Sequence, residues 1–383
     1  MKLLFALALH ALALPVLAAG SEDFVSMFNG RDLTGWTNIN CAPETWTVKE
    51  GNIHCTGRPV GALRTLRQYE NFILEVEWRH LQHGGNSGVF IWGTPISAPG
   101  VPFLRGIEVQ VLDHGYAIDW EKRTGKKPDW FTTHGDVFPI HGATMKPLGK
   151  HNGMRSFPSG EFSKGTNEWN HYRIVCTNGS LRLSVNGHEV SGGDDCNYRK
   201  GYLALESEGA PVEFRNLRIK ELPSSNPAPE LVAPTDPGWA PLYNGVDLRG
   251  WKSDGDAKTR WQPSDWRLVL KDGTNAAKQT LWTEAQFGDV EFVMDVRASG
   301  KAAGDLAPTL LLRGRDGQGT EVKTGLEAGK NGRVRVLVKG TEAVVFVSEK
   351  EIARVAVPAG SGALGLKDTG AGMDFGNLHV RKL

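Results

Sequence analysis

Neither sign of charge dominates this sequence. Lys and Arg number 44 against 43 Asp and Glu in 383 residues, with no long basic run. That balance argues against nucleic acid as the main partner. Long helical patterns are absent, which removes helical bundles from consideration. The apolar run near the N-terminus is too short to span a membrane. Cysteine is scarce: the four are Cys41, Cys55, Cys176 and Cys196, and their spacing does not resemble a zinc site.

What is present points to strands. The chain holds 47 Gly and 20 Pro, and short apolar runs lie between Gly, Asn, Asp and Pro turns. "FILEVEW", "HYRIVCT", "LRLSVNG" and "VEFRNLRIKEL" alternate at period two. Many short strands with polar turns predict an all-β chain of jelly-roll sandwiches, in which one concave sheet face can bind a ligand. The length calls for two domains.

The first residues, "MKLLFALALHALALPVLAAG", have the pattern of an export signal. Lys2 supplies the positive start, Leu3 to Leu14 the apolar core, and cleavage is expected near Ala18 or Ala19. An exported, periplasmic or extracellular protein is the expectation, with the signal occupying residues 1–19. Export permits disulfides. Local pairing, Cys41–Cys55 and Cys176–Cys196, is expected because each pair brackets a hairpin; free buried thiols are the alternative.

The chain contains itself twice. "MFNGRDLTGW" at 27–36 returns as "LYNGVDLRGW" at 242–251, and "GYLALESEGAPVEFRNLRIKEL" at 201–222 returns as "GALGLKDTGAGMDFGNLHVRKL" at 362–383. Whole-domain duplication follows, with a first unit over 20–222, a stiff, exposed Pro-rich linker over 223–238, and a second unit over 239–383. The second unit is degenerate. It has almost no counterpart to the segment from about 94 to 168, with at best "GTEVKTGLEAG" opposite "GIEVQVLDHG", and His379 is its one histidine. Any chemistry is therefore expected in the first unit. The second is a packing, interaction or sugar-binding module.

"MFNGRDLTGW", "GNSGVFIWG", "GIEVQVLDHG", "NEWNHYRIVCTNGSLRLSVNGHEV" and "GYLALESEGAPVEFRNLRIKEL" together resemble the 3-keto-disaccharide hydrolase domain family. The resemblance covers the first unit nearly end to end and the second at its edges. It implies a concanavalin-like lectin and glucanase sandwich. It implies cleavage of glycosides whose glucose carries a ketone at carbon 3, in several members by elimination and hydration. A divalent metal ion, used by some members, is implied as an option.

Such chemistry needs a base near carbon 2, donors at the ketone oxygen and an acid for the leaving group. On the strand "GIEVQVLDH", Glu108 and Gln110 share one face and Ile107, Val109 and Val111 the other. Glu108 reads as a base or metal ligand and Gln110 as a contact to a sugar hydroxyl; a solvated sheet face is the alternative. Asp113 and His114 are catalytic candidates or simple turn formers. His141 suits proton shuttling, and Lys146 in the same run suits an enolate oxygen. Met145 stands where the resembled family often has tyrosine. Asn86, Trp92 and Glu206 are candidate substrate contacts, with Trp120 and Trp130 as further stacking rings. His80 and His83 lack a third convergent ligand and read as loop structure. The partner implied throughout is a glycoside or oligosaccharide. Rival functions are a conventional glycosidase, needing a close carboxyl pair, and a non-catalytic sugar-binding protein.

Overall fold

The protein is described from a computed structural model, which covers residues 23–253, 255–273 and 276–383. The export-signal pattern lies outside the described residues. Among those residues, no helix is long and apolar enough to cross a membrane.

The alternation seen in the sequence becomes two sandwiches. In the first unit, Asn170–Thr177 and Ser180–Val185 bury every second side chain. They belong to a nine-stranded antiparallel sheet centred on Phe72–His80 and Val212–Glu221. An eight-stranded sheet faces it, running from His151–Asn152 through Arg155–Ser156, Val137–Ile140, Gly106–Leu112, Asn86–Gly93, Gly201–Ser207 and Gly61–Tyr69 to Trp36–Ile39. One apolar core fills the space between, including Trp46, Trp78, Trp92, Ile107, Val109 and Val111. Each such side chain contributes roughly 1.5–3 kcal/mol on burial.

The second unit repeats the plan with its own core. Its larger sheet centres on Val290–Ala298 and Met373–Lys382, and its smaller sheet has five strands, Trp251–Lys252, Leu281–Thr283, Ala363–Leu366, Thr309–Arg315 and Gln318–Lys323. The repeated "NG-x-DL-x-GW" has an atomic cause. The Asn29 side chain donates to Asp32 (2.8 Å) and accepts from the Arg31 and Asp32 amides, and Asp32 accepts from the Thr34 amide. Asn244 and Asp247 repeat the same four bonds. Trp36 then donates to the Met27 carbonyl (2.9 Å), as Trp251 does to Leu242 (2.8 Å). Side chains are here replacing the ladder bonds that a turn cannot make.

One expectation needs correction. The four cysteines are free, buried thiols. Cys41 lies in the core, where the Trp46 indole donates to it (3.4 Å), and burial raises the Cys55 thiol to about 11. The Pro-rich segment is largely exposed but is not a free spacer. Gln68 donates to the Ala233 carbonyl (2.7 Å), the Asp236 amide donates to the Tyr202 hydroxyl (2.7 Å), and Arg64 pairs with Asp236 (2.5 Å). A proline-rich chain makes few bonds of its own, so the first unit's side chains supply them.

The two units dock through buried polar contacts. Asn40 donates to the Asn377 side chain (2.6 Å), Asn377 donates to the Val101 carbonyl (2.8 Å), and Asp295 accepts from the Gly100 amide (2.9 Å). The loop that these contacts hold, 94–105, carries one wall of the site described next.

Candidate active site

Gly106–Leu112 lies between Asn86–Gly93 and Val137–Ile140, with Glu108 opposite Phe90 on one side and Phe138 on the other. This register puts Glu108 and Gln110 on the outer face of the eight-stranded sheet. That face is not wet surface: each of the two is 6% exposed. The segment unique to the first unit folds over it. Phe103, Phe138, Ile140 and Trp130 wall a cavity of about 250 Å3 whose polar groups are Asn86, Glu108, Gln110, Tyr116, His141, Arg155, Glu206 and Glu208. The volume is close to the lower end of small-molecule sites, about 300 Å3, and is a sugar-ring-sized hollow.

Three carboxyls meet inside it. Gly88 occupies the row between Gln110 and the strand that bears Glu206. A Cβ at Gly88 would stand 2.9 Å from Glu108 Oε1 and 3.1 Å from Glu206 Oε2. The missing side chain therefore makes the gap into which both acids lean. Glu206 is 1% exposed, and its Oε2 has no hydrogen-bond partner among the described residues. Glu208 accepts from the Asn86 amide, and Gln110 donates to Asn86 Oδ1 (2.9 Å).

Burial and mutual repulsion hold these acids protonated to unusually high pH. Desolvation, followed by the Glu208 charge, raises Glu108 to about 8, against the pull of Arg155. Glu206 is pushed well above the carboxylate range by desolvation, Glu208 and Glu108. Glu208 rises to about 7 through desolvation, its hydrogen bonds to Glu206 and Asn86 opposing. Acids tuned toward neutrality suit proton transfer in both directions.

Arg155 supplies the positive charge. Asp136, fully buried, accepts from it at 2.9 Å, and its guanidinium lies 3.4 Å from the Phe138 ring centroid. His141 stands at the rim in a left-handed backbone conformation (φ 52°), its ring stacked on Phe103 at 6.1 Å. Desolvation there lowers its pKa.

Of the residues chosen from sequence, the cavity brings together Glu108, Gln110, Asn86, Glu206, His141 and Trp130. Five do not reach it. Asp113 caps the His114–Thr124 helix, accepting from the Gly84 and Gly115 amides (2.8 Å each) and the Thr166 hydroxyl (2.7 Å). It is a structural anion; although desolvation pushes its pKa up, these bonds hold it low. His114 shares a hydrogen bond with Ser163 (2.8 Å) and packs edge-on to His134. Trp92 is fully buried in the core and donates to the Glu70 carbonyl (2.9 Å). Lys146 is exposed and pairs with Asp195 (2.7 Å). Trp120 packs behind Trp130 at 5.7 Å. Met145 is core.

Sequence reasoning passed over Arg155, Tyr116, Phe103 and Phe138, and left Glu208 without a role. Glu208 follows Glu206 at the period-two spacing, so alternation could have found it. Arg155 carried only its place in the unmatched segment. Among the described residues no group of three or more His, Cys, Asp or Glu is arranged as a metal site. His80 contacts the Val111 carbonyl (2.9 Å) and His83 faces Asp119 (3.4 Å), so the two do not converge.

A family model described as the 3-keto-alpha-glucoside-1,2-lyase-like domain matches residues 23–220 and 238–331. The chain belongs to that family. The first matched segment spans the first sandwich, and the second covers the second sandwich as far as residue 331. A 3-keto-disaccharide hydrolase from Bacteroides thetaiotaomicron is 24% identical over 254 residues, covering 58% of this chain and 85% of that one. A solved Parabacteroides distasonis protein, provisionally named a glycosyl hydrolase, is 24% identical with a TM-score of 0.41, covering 52% of this chain and 94% of that one. A Bacillus licheniformis β-glucanase is 14% identical with a TM-score of 0.31, covering 54% and 100%.

Proposed function

We propose that the first unit cleaves 3-keto-glycosides by elimination and hydration. The observation that carries this reading is the convergence of Glu108 and Glu206 over Gly88, beside Arg155, in a cavity of one-ring size. Glu108 in its ionised form takes the carbon-2 proton. The electron pair forms a carbon 2–carbon 3 double bond, and the ketone oxygen becomes an enolate facing Arg155. The ketone then re-forms as the carbon 1–oxygen bond breaks, leaving a carbon 1–carbon 2 double bond. Protonated Glu206 delivers its proton to the departing oxygen. Water adds back across that double bond, hydroxyl to carbon 1 and proton to carbon 2, so the net change is hydrolysis. Gln110 and Asn86 hold Glu208 in place, and Phe103, Phe138 and Trp130 exclude bulk water.

A conventional glycosidase would also use a carboxyl pair, and Glu108 with Glu206 offers one. Turnover of oxidised and unoxidised disaccharides in deuterated water separates the two. Elimination leaves solvent deuterium at carbon 2 of the product and spares the unoxidised sugar. Cleavage of the unoxidised sugar, with no label at carbon 2, overturns the proposal. Export is part of the same reading, supported by Lys2 and the apolar run after it. Mass analysis of the protein made in a secreting host should show loss of the first 18 or 19 residues.

A further inference from the structure

A hollow of about 720 Å3 lies on the second unit and shares no residue with the carboxyl cavity. Its floor is the outer face of the larger sheet, and Pro99 and Gly100 of the first unit form part of its rim. A neighbouring hollow of about 540 Å3 shares Arg297, Gly329 and Asp374 with it and extends to Lys271. The two make one trough. Trp266 stands in its wall, braced against the backbone at Gly376, where a Cβ would meet the ring at 2.4 Å.

Most of the charge in the trough is already matched. Arg333 grips Asp295 through two bonds (2.8 and 3.0 Å), and Asp295 also accepts from Gly100 and Asn377. Arg267 holds Asp374 (2.7 Å), and Glu349 faces Arg335 (3.8 Å). Arg297 and Lys271 are exposed and have no ion-pair partner among the described residues. The Asn331 and Ser348 side chains line the same trough. Asp272, beside Lys271 in the trough, pairs with Lys301, so the charges left unpaired are two separated cations, with one aromatic ring in the wall.

We infer that this trough binds an acidic oligosaccharide, a chain of uronate residues. Carboxylates along the chain meet Arg297 and Lys271, hydroxyls meet Asn331, Ser348 and the Asp374 carboxylate, and a sugar C–H face meets Trp266. Nucleic acid suits the trough less well, because the matched carboxylates repel a continuous run of phosphates. The inference goes beyond the proposed cleavage and does not depend on it.

Calorimetry on the full chain tests it with three probes: a tetragalacturonate, a neutral cellotetraose and a short single-stranded DNA. The tetragalacturonate should bind best, and equally well to the Glu108→Gln chain. Arg297→Ala with Lys271→Ala should weaken it about tenfold or more, while Arg297→Lys should retain most of the affinity. Both positions are exposed, and a melting curve confirms that each variant folds. No tetragalacturonate binding, stronger binding of DNA, affinity indifferent to the double variant, or loss of binding in Glu108→Gln would each overturn the inference. The cleavage assay reads out separately, so either idea can fail alone.

Discussion

The two sandwiches place the same strands side by side and put different chemistry on them. In the first, Phe90 lies between Glu108 and Ala204; in the second, Leu311 lies between Glu321 and Gly365. Counting along the strands, Glu321 corresponds to Glu108, Lys367 to Glu206, Thr369 to Glu208 and Thr309 to Gly88. The carboxyl pair of the first unit is thus an ion pair in the second, where Lys367 donates to Glu321. The gap at Gly88 is filled by Thr309. Among the described residues only the short link 324–330 stands where the first unit has 113–168, and the Lys367 and Glu321 side chains are 34% and 52% exposed. A glutamate at the right register is therefore insufficient. In the first unit the walls remove water and a second acid stands near, and it is these that shift the protonation of Glu108.

Exchanging features between the units tests this, starting with the largest expected effect. Glu108→Gln should lower turnover of a 3-keto-glycoside by about 10²–10⁴-fold, whereas Glu321→Gln should leave it unchanged; equal effects would dissolve the distinction. Gly88→Thr, which imports the second unit's residue, should push the two acids apart and cost about 10²-fold in kcat, with melting used to confirm the fold.

The buried acids should also appear in stability. Folded Glu108 holds its proton up to about 8, against the unfolded value of 4.5. The folded state therefore binds more protons between those values, and stability is greatest below 4.5 and falls as pH rises to about 8. Denaturant titrations should show a loss of a few kcal/mol over that window, and Glu206→Gln should flatten it. A wild-type curve with no slope there would contradict the protonation described. The smallest effect tests what the units share. Asp32→Ala and Asp247→Ala should each lower the melting temperature slightly, Asp247→Ala by more because Asp247 also pairs with Arg249 (2.9 Å); no loss in either would show that the shared turn bonds bear no load.

Much of the scaffold was legible in the residues. Period-two alternation marked Asn170–Thr177 and Ser180–Val185 because a strand has only two faces, one of them buried. Glu108 and Gln110 stood out because they interrupt an apolar strand. Asp113 and His114 misled because a residue just past a strand end can turn either way, and here Asp113 turned to cap a helix. Trp92 misled because aromatic rings suit cores and sugar sites equally. Arg155 was invisible because its partners, Asp136 and Phe138, meet it only after the unmatched segment folds back.

The order of apolar and polar residues, read locally, determined by itself that this chain makes paired β sheets twice and that the first copy is the richer in reactive groups. That information is carried by neighbours one or two residues apart. Only the tertiary structure decided which acids meet. Glu108 and Glu206 are separated by about half of the first unit, and their protonation depends on the water excluded by Phe103, Phe138 and Trp130. Desolvation and charge repulsion act through space, and the spacing of residues along a chain does not record them.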